Sequence, residues 1–389
     1  LHNDTVLIEK IKSHGQREEG RVVRVLKRGK LRYVGEVKRG RKDYIVKTDD
    51  QKFDKPIIVD AAHMHGAMPG HKVVVEIKTF KPQIKGDIIK IIGHRNDPGI
   101  DILSIVHAHD VDIEFPKEVY EQIEGISDEI DPSDIENRVD LRNELIVTID
   151  GDDAKDLDDA ISLKKLDNGH YQLGVHIADV SYYVTEGSPL DKEAIKRGTS
   201  IYLVDRVIPM LPHKLSNGIC SLNPNTDRYT ISCIMEIDKH GEVVNHDILP
   251  TVIHSSYRMT YNNVNKILDG DQKLQQEYAP AVPLFFLMQE LATLLRKVRD
   301  ERGAIDFDVD EAKVLVDQKG KPTDVVLRKR GASDKIIEES MLKANETVAQ
   351  HFKWLDLPFI YRVHEQPKVK KLQQFVNIVK PLGYTIKGS

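Results

Sequence analysis

The sequence predicts a multidomain chain, with an N-terminal all-β barrel followed by a larger domain that mixes helices with a sheet. Three observations carry this reading. At 389 residues the chain exceeds one ordinary hydrophobic core. Up to about residue 80 it runs in short stretches of alternating apolar and polar residues broken by basic turns, the period of half-buried strands. From about residue 138 onward, strand-like runs are interspersed with long helical patterns.

Gly20–Leu26 alternates and is followed by a basic turn over 27–30. Leu31–Val37, Tyr44–Lys47, Pro56–Val59 and His71–Ile77 complete five short strands. Five such strands with basic turns and interspersed Tyr and Phe suggest a small oligonucleotide-binding (OB-fold) barrel, whose groove would hold single strands by charge and base stacking. Any small barrel with solvated turns is the bland alternative. Residues 84–137 read as a connector with little core and one helix, Pro116–Glu124, opened by its proline. Beyond 138, the runs 160–163 and 171–177 around Asp167-Asn168-Gly169 form a hairpin. Ser188–Glu193 opens a helix with a capping box, and Gly198 closes it. Strands follow at 200–204, 229–237 and 242–258. Helices at 282–301 and 333–353 flank a further hairpin, 304–317 with 323–329.

Composition narrows the class. Hydrophobic content of 40% and charged content of 31% are those of a globular protein. No apolar stretch is long enough to span a bilayer, and the N-terminus has no signal-peptide core. Cys220 and Cys233 lie in apolar sequence without metal-type spacing, which predicts buried thiols and a cytoplasmic setting. The net charge of −5 hides an asymmetry: residues 1–100 carry 22 Lys and Arg against 13 Asp and Glu, and the remainder 35 against 49. A basic module joined to an acidic one fits a polyanion held by the first and cations held by the second. The start at Leu1 and the stop at Gly388-Ser389, just after a helical pattern, predict a piece of a longer protein.

The densest chemical signal is the segment 149–160, where Asp150, Asp156, Asp158 and Asp159 follow one apolar run and precede another. Carboxylates this close raise one another's pKa unless cations neutralise them, and Mg2+ takes such hard oxygen ligands together with substrate phosphate. A solvated acidic loop is the plain alternative. A calcium loop fails on spacing, because Lys155 stands where its glycine is needed and Ile161 where its glutamate is needed. Strands on both sides restrain the carboxylates from splaying into water, and this favours a metal site for phosphoryl chemistry.

This aspartate spacing, followed by Gly174–Val180, Arg197–Leu203, Pro209–Pro212, Cys220–Leu222, Ile337–Asn345 and Tyr361–Glu365, resembles the catalytic RNB domain of the ribonuclease II and ribonuclease R family. The Arg362-Val363-His364-Glu365 block and the basic barrel favour the ribonuclease R branch. The resemblance runs in order from about residue 18 to the end. It implies the tail of a first cold-shock barrel over 1–17, a second cold-shock barrel over 18–83, the connector 84–137 and an RNB catalytic domain over 138–389. The family's arginine-bearing block and its S1 barrel would lie past Ser389.

The resemblance further implies a Mg2+-dependent, processive 3′→5′ exoribonuclease that degrades single-stranded RNA to nucleoside 5′-monophosphates by two-metal hydrolysis, working as a monomer. Asp150 and Asp159 would hold the tighter metal. Asp156 and Asp158 would hold the second or position water, with Asp158 the most sensitive. Asp152 and Asp153 match no essential acid and read as solvated. Tyr202 and Phe307 read from the sequence alone as core residues, but the resemblance makes them the two ends of a stack around the terminal bases. Glu339 would face the RNA 3′ end and contact ribose. His176 and His364 read as buried, hydrogen-bonded histidines. Two other classes fit less well: a non-catalytic RNA-binding protein, against which the four intact aspartates argue, and a metal-dependent DNA nuclease, against which the basic barrel and motif series argue.

Overall fold

In chain order, the computed structural model begins with an antiparallel ribbon of β1 (Thr5–Ile11) and β2 (Glu19–Lys27). It describes residues 4–11, 19–40, 43–53, 55–305, 311–317, 320–328 and 330–386. The barrel comes next, closed by β3 (Arg32–Arg39), β4 (Tyr44–Thr48), β5 (Ile57–Val59), β6 (His71–Thr79) and β7 (Lys85–His94) in the order β3-β4-β5-β7-β6. Its core gathers Tyr33, Val37, Val46, Phe53, Ile57, Val73 and Ile88.

The barrel therefore occupies 32–94 rather than 18–83. The run Gly20–Leu26 is a strand, but it pairs with β1 and leaves Val22, Val23 and Leu26 exposed. The fifth barrel strand is β7, inside the expected connector. Its doublets Ile88-Ile89 and Ile91-Ile92 break the two-residue period, and its pairing with β6 carries register shifts, so alternation does not reveal it. The connector is also more structured than expected. Helix α1 (Ile100–Ala108) packs against β3, β6 and β7. The next helix, α2 (Lys117–Glu124), follows Pro116 as predicted and places Val119 and Ile123 in a core shared with the following domain.

That domain is built on a six-stranded sheet. Its strands are β8 (Val139–Asp140), β9 (Ile146–Asp150), β10 (Asp159–Lys165), β11 (Tyr171–Ala178), and, after α3 (Val180–Tyr183), α4 (Pro189–Arg197) and the small pair β12 (Ile201–Tyr202) and β13 (Val207–Ile208), β14 (Asp227–Ile237) and β15 (Val243–Thr260). The order is β14-β11-β10-β9-β15-β8. Strand β15 pairs antiparallel with β14 through its first part and parallel with β9 through its last residues, which joins the two ends of the sheet. Strand β9 is buried on both faces, as its continuous apolar run requires.

One face carries the helices α5 (Tyr261–Leu268), α6 (Gln272–Glu277) and α7 (Val282–Glu301) and, after the hairpin β16 (Glu311–Val316) and β17 (Pro322–Arg328), α8 (Ala332–Trp354). Val147, Ile161, Leu173 and Met235 of the sheet meet Phe285, Met288 and Leu291 of α7 there. The chain ends in α9 (Val369–Val379). Helix α4 has the predicted caps: Ser188 Oγ accepts from the Asp191 N–H, and Gly198 takes the left-handed conformation. Among the described residues no helix is long and apolar enough to cross a membrane.

Candidate active site

The four aspartates stand where two neighbouring strands end. Asp150 is the last residue of β9 and Asp159 the first of β10, with Asp156 and Asp158 on the connecting loop. The strands pair antiparallel through Ile161 and Val147, and the charge of Asp150 at the end of β9 acts on both Asp158 and Asp159. Between the loop acids, Leu157 is 1% exposed and sits in the core under the loop. Burying it contributes about 1.5–3 kcal/mol. Since neighbouring residues of an extended chain point opposite ways, Leu157 turns Asp156 and Asp158 away from that core.

Three residues distant in sequence hold the loop. The Ser221 Oγ accepts from the Leu157 N–H at 3.0 Å and donates to the Lys155 carbonyl at 2.9 Å. The Leu222 N–H donates to the Leu157 carbonyl at 2.8 Å. On the other side, Arg258 Nη2 donates to the carbonyls of Ala154 at 2.9 Å and Asp152 at 3.0 Å. Thus a guanidinium on β15 neutralises carbonyl dipoles, leaving the carboxylates free to turn elsewhere. Asp152 and Asp153 are exposed as expected, although Asp152 accepts from Asn262 at 2.6 Å and Asp153 lies 3.6 Å from Lys313.

Crowding shows in the acidities. Burial, then the charges of Asp156, Asp159 and Asp150, push Asp158 up to about 6. The residue is open to solvent on one side, so the pressure comes from the inward side of its carboxyl. Burial, then Asp150, pushes Asp159 up to about 6. Asp150 is also raised, by burial and by Asp156, against the opposing hydrogen bond from the Gly151 N–H. The four acids share one field without closing into a cage. Among the described residues the one cluster with three ligand atoms within 4.8 Å of one another lies elsewhere, on the barrel. An all-oxygen set of mutually repelling carboxylates fits a hard divalent cation such as Mg2+, whose charge relieves that repulsion.

Tyr202 belongs to this centre. Its ring is 64% exposed, which rules out the core packing that its strand-like sequence suggests. Its hydroxyl donates to Asp156 Oδ2 at 2.5 Å, and that hydrogen bond, then burial, pushes the phenol up to about 12. Tyr261, which the sequence does not single out, borders the acids as well: burial, then the charges of Asp150 and Asp159, push it up to about 12. Phe307 lies outside the described residues.

Glu339 departs from expectation. It is 2% exposed, and its carboxylate accepts from Arg299 at 2.6 Å with Arg296 at 3.5 Å, so it pins α7 to α8 rather than facing a ribose. Two arginines one turn apart on α7 draw the acid inward, a pairing that helical periodicity cannot reveal. His176 is buried as predicted, between Ser162 Oγ at 3.0 Å and Ser232 Oγ at 2.7 Å, and burial pushes it down to about 4. His364 is exposed, contrary to expectation, on a stretch without helix or strand. Cys220 and Cys233 are free buried thiols.

The chain is similar in sequence and fold to known proteins. Residues 138–387 match the RNB domain, and 45–116 match the cold shock domain. Ribonuclease R 1 of Lactococcus lactis is 44% identical over 412 residues, covering 100% of this chain and 50% of the relative. Ribonuclease R of Thermotoga maritima is 47% identical over 397 residues, covering 100% of this chain and 56% of the relative. Mycoplasma genitalium RNase R in complex with ribose methylated single-stranded RNA superposes with a TM-score of 0.88 at 30% identity, covering 98% of this chain and 61% of that one. The chain thus spans about half the length of the curated relatives it matches. With the aspartate centre at the ends of β9 and β10 and the matched region covering most of its length, the chain belongs to the RNB-domain family, among relatives named ribonuclease R.

Proposed function

We propose that the aspartate centre is that of a Mg2+-dependent, processive 3′→5′ exoribonuclease, acting as a monomer on single-stranded RNA and releasing nucleoside 5′-monophosphates. The observation that carries this reading is the set of four aspartates fixed at two strand ends and the loop between them, three of them with raised pKa values. The family relatives named ribonuclease R, and a structural neighbour that holds single-stranded RNA, support it.

When bound, Mg2+ supplies charge neutralisation and a water acidic enough to attack phosphorus at neutral pH. The protein's own residues do the rest. Asp150 and Asp159, on rigid strand ends, are the firm ligands. Asp156 and Asp158, on the pinned loop, complete the set and orient the attacking water. The exposed ring of Tyr202 lies beside the acids and stacks on the 3′-terminal base, an interaction indifferent to sequence. Phe307 is assigned the far end of that stack from its sequence match. Water oxygen bonds to phosphorus as the P–O3′ bond breaks, the departing O3′ takes up a proton, and one mononucleotide leaves while the shortened strand keeps a 3′-hydroxyl.

Incubating the chain with RNA and DNA of one sequence, in Mg2+ or in EDTA, and resolving the products tests the reading. Nucleoside 5′-monophosphates from RNA alone, and only in Mg2+, are expected. Equal release from DNA points instead to a general nuclease, and RNA bound without any release points to a binding protein.

A further inference from the structure

The barrel carries a second group of metal-ligating side chains, unrelated to the aspartates. His63 Nδ1 lies 3.1 Å and His65 Nε2 2.9 Å from the same oxygen, Asp87 Oδ1. All three ligand atoms lie within 4.8 Å of one another.

The local fold fixes all three side chains. Met64, between the histidines, is buried in the barrel core, so His63 and His65 both face outward. His65 takes a left-handed backbone with φ of 45°, and Gly66 follows with φ of 85°. Outside glycine that conformation is uncommon, with histidine among the residues that take it more readily, and Met64 and Ala67 on either side of His65 are part of the core. Asp87 is set equally firmly. Its neighbours on β7, Gly86 and Ile88, are buried, and a Cβ at Gly86 would meet Val75 Cγ2 at 2.7 Å, so the strand packs closely on the core there.

Two imidazole nitrogens and a carboxylate oxygen are the ligand set of zinc-class ions, whereas Mg2+ prefers oxygen alone. With metal–ligand bonds of about 2.0–2.1 Å, tetrahedral ligands sit about 3.3 Å apart. The two His–Asp separations, 3.1 and 2.9 Å, are a few tenths of an ångström below that edge, and all three ligand atoms lie within 4.8 Å of one another. We propose that His63, His65 and Asp87 form a site for a zinc-class divalent transition ion, which fastens the 61–65 segment to β7 and leaves the fourth position to water.

The test is Zn2+ titration of the full chain by calorimetry in excess Mg2+, with Co2+ absorption as an optical probe and thermal unfolding with and without Zn2+. His63→Ala removes one ligand. His65→Asn removes another while keeping a residue that tolerates the left-handed backbone, and Asp158→Asn disables the aspartate centre. Expected are about one tight equivalent of Zn2+, a ligand-field band with Co2+, and a Zn2+-dependent rise in Tm. His63→Ala and His65→Asn should each weaken Zn2+ binding about tenfold or more, while Asp158→Asn leaves it intact. Zn2+ binding that survives both histidine variants, or that disappears in Asp158→Asn, overturns the proposal.

Discussion

Tyr202 and Asp156 are joined by a hydrogen bond of 2.5 Å, from the phenolic hydroxyl to Oδ2. One residue therefore offers an exposed ring to solvent while its tip holds one of the four acids. On the proposed function this single contact would link stacking to metal binding, and two substitutions separate them. Tyr202→Phe keeps the ring and frees Asp156, so RNA affinity should hold. Tyr202→Ala should cost about 1–3 kcal/mol of RNA affinity, the worth of one stacked base. Fluorescence anisotropy with a labelled single strand in EDTA reads both; equal losses in the two variants would show that the ring does not stack.

The acidities predict an inverted stability profile. A carboxyl whose folded pKa is raised binds its proton more tightly when folded, so stability is lost as pH rises from the unfolded pKa through the folded one. For Asp158 that window runs from 3.8 to about 6. Metal-free Asp158→Asn should therefore be the more stable protein at about pH 7.5, by about 1 kcal/mol once solvent screening is allowed for, with the gap closing below about pH 4. Mg2+ should reverse the order, because only the wild type gains the full ligand set. Thermal unfolding across pH in EDTA and in Mg2+ checks this; a wild type more stable than the variant in EDTA at neutral pH contradicts it.

Arg258 stands behind the proposed metal site and touches only the carbonyls of its loop. Its guanidinium holds the Ala154 and Asp152 carbonyls, and through them the path of the loop. Arg258→Ala should weaken Mg2+ activation about 10–100-fold, the usual cost of losing an outer partner of a metal ligand, with little change in circular dichroism. Arg258→Lys, with fewer donors, should fall between. Unchanged Mg2+ dependence in both would show that Leu157 and Ser221 suffice to shape the loop.

Glu339 should behave as a packing residue. Removing its carboxylate takes one partner from each of two arginines, Arg299, which keeps Glu338, and Arg296, which keeps Asp300. Glu339→Ala should destabilise the protein by about 1.5–3 kcal/mol, the worth of a hydrogen bond to a charged group, while leaving the RNA affinity of the folded protein unchanged. Denaturant unfolding and RNA titration distinguish this from a ribose contact, which would show the opposite pattern.

Where the sequence was legible, local chemistry explains it. Val282–Glu301 and Pro189–Arg197 announce themselves by period and caps, and the aspartates by crowding alone. Strand β7 was hidden because its isoleucine doublets erase the alternation and its role is to close a barrel with partners distant in the chain. Ser221 and Arg258 were hidden for a related reason. They reach the aspartate loop from 64 to 106 residues away, Arg258 on a strand whose parallel pairing with β9 leaves no local trace. Glu339 misled because the resemblance sets its helix toward the RNA 3′ end, and only the arginines of the neighbouring helix show where its carboxylate goes.

The most direct test follows a 5′-labelled single-stranded RNA incubated with the chain and Mg2+, with Asp158→Asn alongside. A ladder that shortens from the 3′ end and vanishes in the variant is the predicted result. Shortening that persists in Asp158→Asn, or RNA held tightly by the wild type with no shortening, would contradict the assignment of the aspartate centre as the seat of hydrolysis.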